Sequence, residues 1–311
     1  MIVDIILIIV GVACVLYGAN WLTEGASALA RRMQVPEIII GLTIVAAGTS
    51  APELFVSLVS ALKGTPGLAV GNIVGSNTMN AMLIVGCAAV VAPMTISRST
   101  VRKDIPFSVG ASVLLILIAV DGFLGRTDGL LLLLGFAAFM AYTLRQARSN
   151  SGADADAVVA ETSPVYKSTL YVLGGLLLLI AGSNLFVDSA SSVALSLGVS
   201  EGVVGLTVVA GGTSLPELAT SVVAARKGQS AIAIGNVIGS NVFNILLILG
   251  LTAAISPLPT AGITPVDLTV MLLAVMLVWL FSFTRFTVER WEGVVLVAGY
   301  AAYLYWLIIH L

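Results

Sequence analysis

Two glutamates lie inside long apolar stretches, each in the same local pattern. Glu53 belongs to GTSAPEL and Glu217 to GTSLPEL, so two hydroxyls and a proline precede each carboxylate. A carboxylate at membrane depth is costly and usually marks a functional site. Carboxylate, hydroxyl and carbonyl oxygens are hard ligands, which suit Ca²⁺ or Na⁺ better than the softer transition metals. The two patterns therefore predict a site that binds cations.

Pro52 and Pro216 predict a disturbed helix beside each glutamate. Proline removes a backbone donor and clashes with the carbonyl one turn earlier. A carbonyl freed at membrane depth needs protein, water or an ion as its partner. The carbonyls that could be freed are those near Ala46, Thr49, Ala210 and Thr213. A proline kink alone would explain one copy equally well, but the recurrence with a glutamate favours an ion site.

A second polar motif follows each glutamate. GNIVGSNTMN spans 71–80 and GNVIGSNVFN spans 235–244. Glycines four residues apart allow close helix packing, so we interpret the glycines as packing positions. Packing does not explain Ser76 and Asn80, which lie four residues apart on one helix face. The polar residues that could contact an ion, or support those that do, are Ser76, Asn77, Asn80, Ser240, Asn241 and Asn244.

Both motifs belong to an internal repeat. Residues 41–86 and 205–250 align without a gap at an offset of 164, and 26 of 46 positions are identical. The similarity extends upstream, where Gly18-Ala19-Asn20 matches Gly182-Ser183-Asn184. Glu24 matches Asp188 at the same offset. These upstream polar residues could line an ion path or lie at the membrane interface, and the sequence leaves their role open.

The composition excludes a soluble domain. The chain is 59% apolar and 10% charged, with a mean hydropathy of +1.09, as expected of a polytopic helical membrane protein. Cys14 and Cys87 both lie in apolar stretches and indicate neither a disulfide framework nor a metal site. The first apolar stretch lacks a basic leader and a small-residue cleavage site, so we expect an uncleaved first transmembrane helix.

Ten apolar stretches are long enough to cross about 30 Å of hydrocarbon. They are 3–29, 36–62, 67–92, 104–122, 127–147, 167–197, 201–225, 229–256, 265–283 and 290–310. We predict an all-α fold with a first repeat over 1–147, a cytoplasmic linker over 148–166 and a second repeat over 167–311. Asp154 and Asp156 in the linker do not complete an EF-hand, so we interpret them as solvated charges.

The basic residues predict the orientation. If the loops alternate sides, 12 Lys and Arg residues fall on one side and only Lys63 and Arg126 on the other. The first side should be cytoplasmic, with both termini outside. Five helices in each half is an odd number, so the second half should be inverted relative to the first. The inversion would bring Glu53 and Glu217 face to face at one midplane site.

The charge of such a site suggests a mechanism. Two ionised glutamates carry −2, which one Ca²⁺, two Na⁺ or two protons would neutralise. An empty site with this charge should resist occlusion, because burying unpaired charge costs several kcal/mol. Each crossing would then require a bound cation, which makes the carrier an obligatory exchanger. Protonation of the glutamates is the competing way to neutralise the site.

At these motifs the chain resembles the calcium/cation antiporter superfamily, and within it the prokaryotic sodium/calcium exchangers. The resemblance covers essentially the whole chain. It implies an ion-binding core of the second, third, seventh and eighth helices, across which the first and sixth helices slide. It also implies ion ligands at Glu53, Glu217, Thr49, Ser50, Thr213, Ser214, Ser76, Ser240, Asn80, Asn244 and the backbone of Ala46 and Ala210.

The sequence departs from this family in two places. Some sodium/calcium exchangers carry aspartate where this chain has Asn80 or Asn244, so its site has one carboxylate fewer. This leaves the ion count, the electrogenicity and the choice between Na⁺ and H⁺ open. The linker is too short to hold the cytosolic regulatory domains of the eukaryotic members, so we expect no such regulation.

The leading hypothesis is Ca²⁺ extrusion in exchange for Na⁺ by alternating access in a prokaryotic cytoplasmic membrane; the alternative is Ca²⁺/H⁺ exchange. We expect no enzymatic activity, because the only histidine is His310 and no base recurs with Ser50 or Ser214. A passive channel is a third possibility. The expected partners are the transported ions and the lipid bilayer, with no cofactor and no nucleic acid, and we expect a functional monomer.

Overall fold

The computed structural model describes residues 2–150, 164–198, 210–260 and 263–309, and these residues are almost entirely helical. The helices are α1 (Ile2–Met33), α2 (Glu37–Thr49), α3 (Ala51–Leu62), α4 (Pro66–Val91), α5 (Ile105–Ile118), α6 (Arg126–Asn150), α7 (Val165–Ser196), α8 (Ala210–Thr213), α9 (Leu215–Arg226), α10 (Ser230–Ile255), α11 (Pro265–Phe283) and α12 (Arg290–Ile309). The strands are β1 (Met94–Thr95), β2 (Phe123–Leu124), β3 (Leu258–Pro259) and β4 (Thr287–Val288).

Seven of these helices are long and apolar enough to cross a membrane, and the bent pair α2 and α3 makes an eighth candidate. The predicted count of ten is therefore not confirmed over the described residues. The stretch predicted at 104–122 forms the 14-residue α5, preceded by a π-helix, Thr100–Asp104. The start of the stretch predicted at 201–225 lies outside the described residues, as does most of the predicted linker.

A glycine seam joins α1 and α7 side by side. A Cβ atom added at Gly18 would lie 2.8 Å from the carbonyl oxygen of Gly175, and one added at Gly11 would lie 2.9 Å from that of Gly182. The rising numbers on α1 meet falling numbers on α7, so the helices are antiparallel. Only glycine allows backbones to approach this closely. At the offset of 164, Gly11 corresponds to Gly175 and Gly18 to Gly182. The two contacts are therefore equivalent under the repeat, as expected for two inverted halves.

The helix breaks between α2 and α3 and between α8 and α9 lie at Ser50 and Ser214, two residues before Pro52 and Pro216. The helix bends by 45° between α2 and α3, at Ser50, and Pro52 lies in the first turn of the new helix. Ser50 and Ser214 have nearly the same backbone angles, φ −82° and ψ 8° against φ −92° and ψ 7°. Proline is tolerated in a first helical turn, where the amide lacks a partner anyway.

Helices α4 and α10 form the centre of the molecule. Nearly all of α10 and most of α4 are buried, whereas less than a third of the apolar span of α1, α7 and α12 is buried, as expected of helices that face lipid. Both central helices contain a π-helical segment, Asn80–Ile84 in α4 and Phe243–Leu249 in α10. A π-helix often accompanies a functional site, and each of these segments contains one of the asparagines predicted to bind ions.

Small strand ladders also connect the two halves. Strand β1 pairs antiparallel with β4, and β2 pairs antiparallel with β3. Each ladder therefore joins a strand of the first half to a strand of the second.

The interpretation of the motif glycines as packing positions is confirmed at Gly235 and Gly239. An added Cβ would lie 3.0 Å from the Cα of Gly41 and 2.9 Å from that of Leu42, respectively. The equivalent residues opposite Gly71 and Gly75 lie outside the described residues.

Candidate functional site

The two glutamates are fully buried, and each contacts the opposite half of the molecule. Glu53 lies in the first turn of α3 and Glu217 in the first turn of α9. Ser50 donates to Oε1 of Glu217 at 3.0 Å, and Ser214 donates to Oε1 of Glu53 at 3.2 Å. Each carboxylate is therefore held by the serine at the other helix break. The positive end of the helix dipole also favours a carboxylate in a first turn.

Each glutamate leaves its second carboxylate oxygen without a partner. Oε2 of Glu53 and Oε2 of Glu217 are buried and accept no hydrogen bond. Neither glutamate forms an ion pair with a described basic side chain. Burying one unpartnered polar atom typically costs about 1–3 kcal/mol, and more if it is charged. Two such oxygens in one core are a specific reason to expect a cation between them.

The predicted asparagines present two further unpartnered oxygens. Asn80 donates from Nδ2 to Oδ1 of Asn241 at 3.1 Å, and Asn244 donates from Nδ2 to Oδ1 of Asn77 at 2.9 Å. These bonds use the amide nitrogens and leave Oδ1 of Asn80 and of Asn244 buried and unpartnered. The pairing also assigns each amide, since a flipped side chain would place two oxygens together. Asn77 and Asn241 thus orient the asparagines predicted to bind ions.

Packing brings the four unpartnered oxygens into one region. Helix α3, which carries Glu53, packs on the π-helix that contains Asn244. Helix α9, which carries Glu217, packs on the π-helix that contains Asn80. The two contacts are related by the repeat. The structure thus brings together carboxylate and amide oxygens from both halves, which are ligands that Ca²⁺ and Na⁺ prefer.

The predicted hydroxyls surround the glutamates. Oγ of Ser76 lies 3.2 Å from Oγ of Ser214, whose proton is directed to Glu53, and Ser240 donates to Oε1 of Glu217 at 3.4 Å. Thr49 donates to Oδ1 of Asn236 at 3.0 Å. All of these side chains are buried. The hydroxyls hold the carboxylates in place and retain lone pairs that an ion could use.

The carbonyl of Ala46 differs from the expectation. It accepts the amide of Ser50 at 3.0 Å, so it keeps a helical partner, and the hydroxyl oxygen of Thr49 lies 3.3 Å from it. The physical reason is the position of the break, since α2 continues to Thr49 and Pro52 belongs to the next helix. Ala210 and Thr213 begin and end the short α8, and Thr213 therefore directly precedes the second break.

Sequence reasoning missed two supporting pairs. Asn72 donates to Oγ of Ser57 at 3.1 Å and to the carbonyl of Glu53 at 3.4 Å. Its counterpart Asn236 makes the same pair of bonds, to Ser221 at 3.0 Å and to the carbonyl of Glu217 at 3.3 Å. These bonds fix the helical turn that carries each glutamate. The signal was present, because this asparagine is identical in both copies of the repeat.

Each half of the chain matches the same family model, that of the sodium/calcium exchanger protein, over residues 3–145 and again over residues 167–309. The chain belongs to this family. The double match agrees with the internal repeat and with the cross-half contacts. It confirms the resemblance noted in the sequence and identifies the chain as a multi-pass membrane transporter of the antiporter type, not an enzyme.

Two relatives match the exchanger chain along its whole length. It is 38% identical to the inner membrane protein YrbG of Escherichia coli (strain K12), with 97% of this chain and 96% of YrbG covered. It is 32% identical to the sodium/calcium exchanger MaX1 of Methanosarcina acetivorans, with 97% of each covered. A solved structure of the sodium-calcium exchanger NCX_Mj, soaked with zero Na⁺ and Ca²⁺, matches with a TM-score of 0.87 and 31% identity, covering 98% of this chain and 99% of NCX_Mj.

Proposed function

We propose that the protein exchanges Ca²⁺ for Na⁺ by alternating access, with the ions bound between Glu53 and Glu217. The observation that carries the proposal is the set of four buried oxygens without partners, which are Oε2 of Glu53, Oε2 of Glu217, Oδ1 of Asn80 and Oδ1 of Asn244. Polar atoms buried in a protein interior almost always have a hydrogen-bond partner, so the lack of one at these four oxygens calls for an explanation. A bound cation would satisfy all four at once.

The proposed ligands follow from these positions. Glu53 and Glu217 bind the central ion, and Asn80 and Asn244 contribute amide oxygens. The remaining proposed ligands are the hydroxyl or backbone oxygens of Thr49, Ser50, Thr213, Ser214, Ser76, Ser240, Ala46 and Ala210. The bond that the Ala46 carbonyl already accepts from the amide of Ser50 supports a secondary role for that oxygen.

The charge of the proposed site accounts for obligatory exchange. Two ionised glutamates without a basic partner give the site a charge of −2, and the described neighbours are polar but neutral. One Ca²⁺ or two Na⁺ would neutralise this charge, whereas an empty site would leave two buried charges at membrane depth. Only a loaded site can therefore be occluded and presented to the other side.

We also propose a prokaryotic cytoplasmic membrane as the location, with both termini outside the cell. The 12-to-2 distribution of basic residues between the two sides supports this orientation. A single chain supplies both glutamates, both serines that bind them and the cross-half asparagine pairs. The proposed site is thus complete within one chain, which supports a functional monomer.

Flux measurements on the purified protein in sealed vesicles test this function. With pH clamped on both sides, an imposed Na⁺ gradient should drive Ca²⁺ uptake, and an equal K⁺ gradient serves as the control. Uptake driven by a pH gradient and not by Na⁺ would instead establish a Ca²⁺/H⁺ exchanger. Ca²⁺ flux that needs no counter-ion would identify a passive channel and overturn the exchange mechanism.

A further inference from the structure

Lys227 fastens the end of α9 onto α1. Its ammonium group donates to Oε1 of Glu24 at 3.1 Å, to Oγ1 of Thr23 at 3.2 Å and to the carbonyl of Asn20 at 3.2 Å. An ammonium group has three N–H donors, and all three are used on one turn of α1. Asn20 also donates to Oε1 of Glu24 at 3.2 Å, which fixes the carboxylate.

The repeat places a second set of the same kind on the opposite side of the molecule. At the offset of 164, Lys63 at the end of α3 corresponds to Lys227, and Asp188 on α7 corresponds to Glu24. Within the described part of the chain, Lys63 and Asp188 are both exposed and form no ion pair with each other. One of the two equivalent contacts is therefore made and the other is not.

Helix packing shows the same asymmetry. Helix α1 packs along α9, whereas its counterpart α7 makes at most marginal contact with α3. The structure describes all four helices over their full length, so the difference in packing between the two pairs is a real asymmetry of the structure. The seam between α1 and α7 holds these two helices together as one unit. This unit packs along α9, which ends next to Lys227, and makes little contact with α3, which ends next to Lys63.

We propose that Lys227–Glu24 and Lys63–Asp188 are alternating ionic latches, and that only one of them closes in each of the two access states. This inference rests on the proposed alternating access. When the α1–α7 unit moves toward α3, inverted symmetry brings Asp188 to Lys63 and removes Glu24 from Lys227. Each latch would then hold one side of the molecule shut while the other side admits ions.

The two latches differ in strength. The threonine that accepts from Lys227 corresponds to Val187, which has no hydroxyl, and Glu24 corresponds to the shorter Asp188. The Lys63 latch therefore offers fewer acceptors and a carboxylate with less reach. The side chains of Lys227 and Glu24 are 25% and 49% exposed, so water and salt weaken their attraction. We expect each latch to shift the balance between the two states by roughly two- to five-fold.

Cross-linking measures the state in which positions 63 and 188 come together, with both residues of the Lys63 latch replaced by cysteine. Lys63→Cys and Asp188→Cys are introduced together in a background where Cys14→Ala and Cys87→Ala remove the native thiols. A short bifunctional thiol reagent then reports how often positions 63 and 188 meet. The cross-link should form, although the two residues form no contact in the state described here. Ca²⁺ flux of the same protein is measured in parallel.

Opening the Lys227 latch should favour the state in which positions 63 and 188 come together. Lys227→Gln should raise the cross-linking rate between 63 and 188 roughly two- to five-fold, and Glu24→Gln should do the same, as expected for a part-exposed ion pair. The matched control is Arg226→Gln, because the neighbouring Arg226 is exposed and forms no ion pair within the described residues.

Two results would overturn the latches. One is the absence of the cross-link, although the parent protein without these substitutions transports Ca²⁺ normally. The other is a cross-linking rate that is the same with and without Lys227→Gln. Failure of the proposed function would look different, because the parent protein would then show no Na⁺-driven Ca²⁺ flux whatever the cross-link does.

Discussion

At the scale of single residues, Glu53 and Glu217 combine two roles. One oxygen of each carboxylate accepts a hydrogen bond from a serine of the opposite half, at 3.2 Å and 3.0 Å, and the other oxygen has no partner. The bonded oxygen fixes the side chain, and the free oxygen is available to an ion. Buried polar groups in proteins are almost always bonded, so a partner for each free oxygen is expected.

Replacing either glutamate should abolish ion exchange. Glu53→Gln or Glu217→Gln removes one charge and one hard ligand, and Ca²⁺ binding should weaken by roughly 100-fold or more, as when one partner of a buried ion pair is lost. Binding is measured as the rise in Tm of the purified protein with Ca²⁺, since a ligand stabilises the folded state that binds it. Glu289→Gln, in the loop before α12, is the matched control. A glutamine variant with normal Ca²⁺ stabilisation and transport would refute the proposed site.

The asparagines set the charge of the site. Asn80 and Asn244 both bond across the molecule through their nitrogens, so each offers only a neutral oxygen to the centre. The site is therefore more symmetric and less acidic than one with an aspartate at either position. In the proposed site, two ionised glutamates give a charge of −2, which one Ca²⁺, two Na⁺ or two protons would neutralise. The vesicle measurement with pH clamped therefore decides the coupling ion.

At the scale of elements, the seam between α1 and α7 determines whether these helices move as one unit. Gly11, Gly18, Gly175 and Gly182 bring the two backbones into contact. Because the contact involves backbone atoms, the helices cannot slide along each other without losing it. The seam therefore supports the idea that α1 and α7 move together across the core.

Filling the seam should destabilise the protein. In Gly18→Leu the new Cβ would lie 2.8 Å from both the carbonyl oxygen of Gly175 and the amide nitrogen of Leu179, which forces the helices apart. We expect a loss of about 1–3 kcal/mol in the free energy of unfolding, as for other overpacked cores. Thermal unfolding in detergent measures it. Gly110→Ala is the control, because no described atom lies within 4 Å of the added Cβ. An unchanged Tm for Gly18→Leu would contradict the seam.

Much of the element pattern was predictable from the sequence. Hydropathy located the helices, because a segment that crosses about 30 Å of hydrocarbon needs a long run of apolar residues. The prolines indicated the two broken helices but not where they break. The chain turns at Ser50, so the carbonyl of Ala46 keeps its partner, contrary to expectation. Glycines seven residues apart on α1, at Gly11 and Gly18, could have indicated the seam.

Contacts across the molecule were not predictable. Both serines and both glutamates were recognised, but no local signal shows that Ser50 binds Glu217 and not the nearer Glu53. The same holds for Asn77 and Asn241, whose role depends on how α4 and α10 cross. The π-helices at Asn80 and Asn244 have no recognisable sequence signal either. Such features depend on tertiary packing, which overrides local preference.

At the scale of the whole molecule, the contacts occur in pairs related by the repeat. The serine–glutamate bonds, the asparagine bonds and the two strand ladders each appear twice, with the halves exchanged. Lys227 departs from this symmetry, since its contacts with α1 have no equivalent at Lys63 within the described residues. A symmetric core with an asymmetric periphery is what the proposed alternating access requires, because in that proposal the core holds the ions while the periphery changes sides.

The position of a bound divalent cation tests the central claim most directly. Crystals of the protein soaked with Ca²⁺, or with Sr²⁺ as a strong scatterer, should show one cation between Glu53 and Glu217. It should lie at roughly 2.3–2.6 Å from Oε2 of each, the usual distance of Ca²⁺ from its oxygen ligands. The same soak of Glu53→Gln crystals should show no cation there. Density only at other positions, or none at concentrations that support transport, would contradict the account.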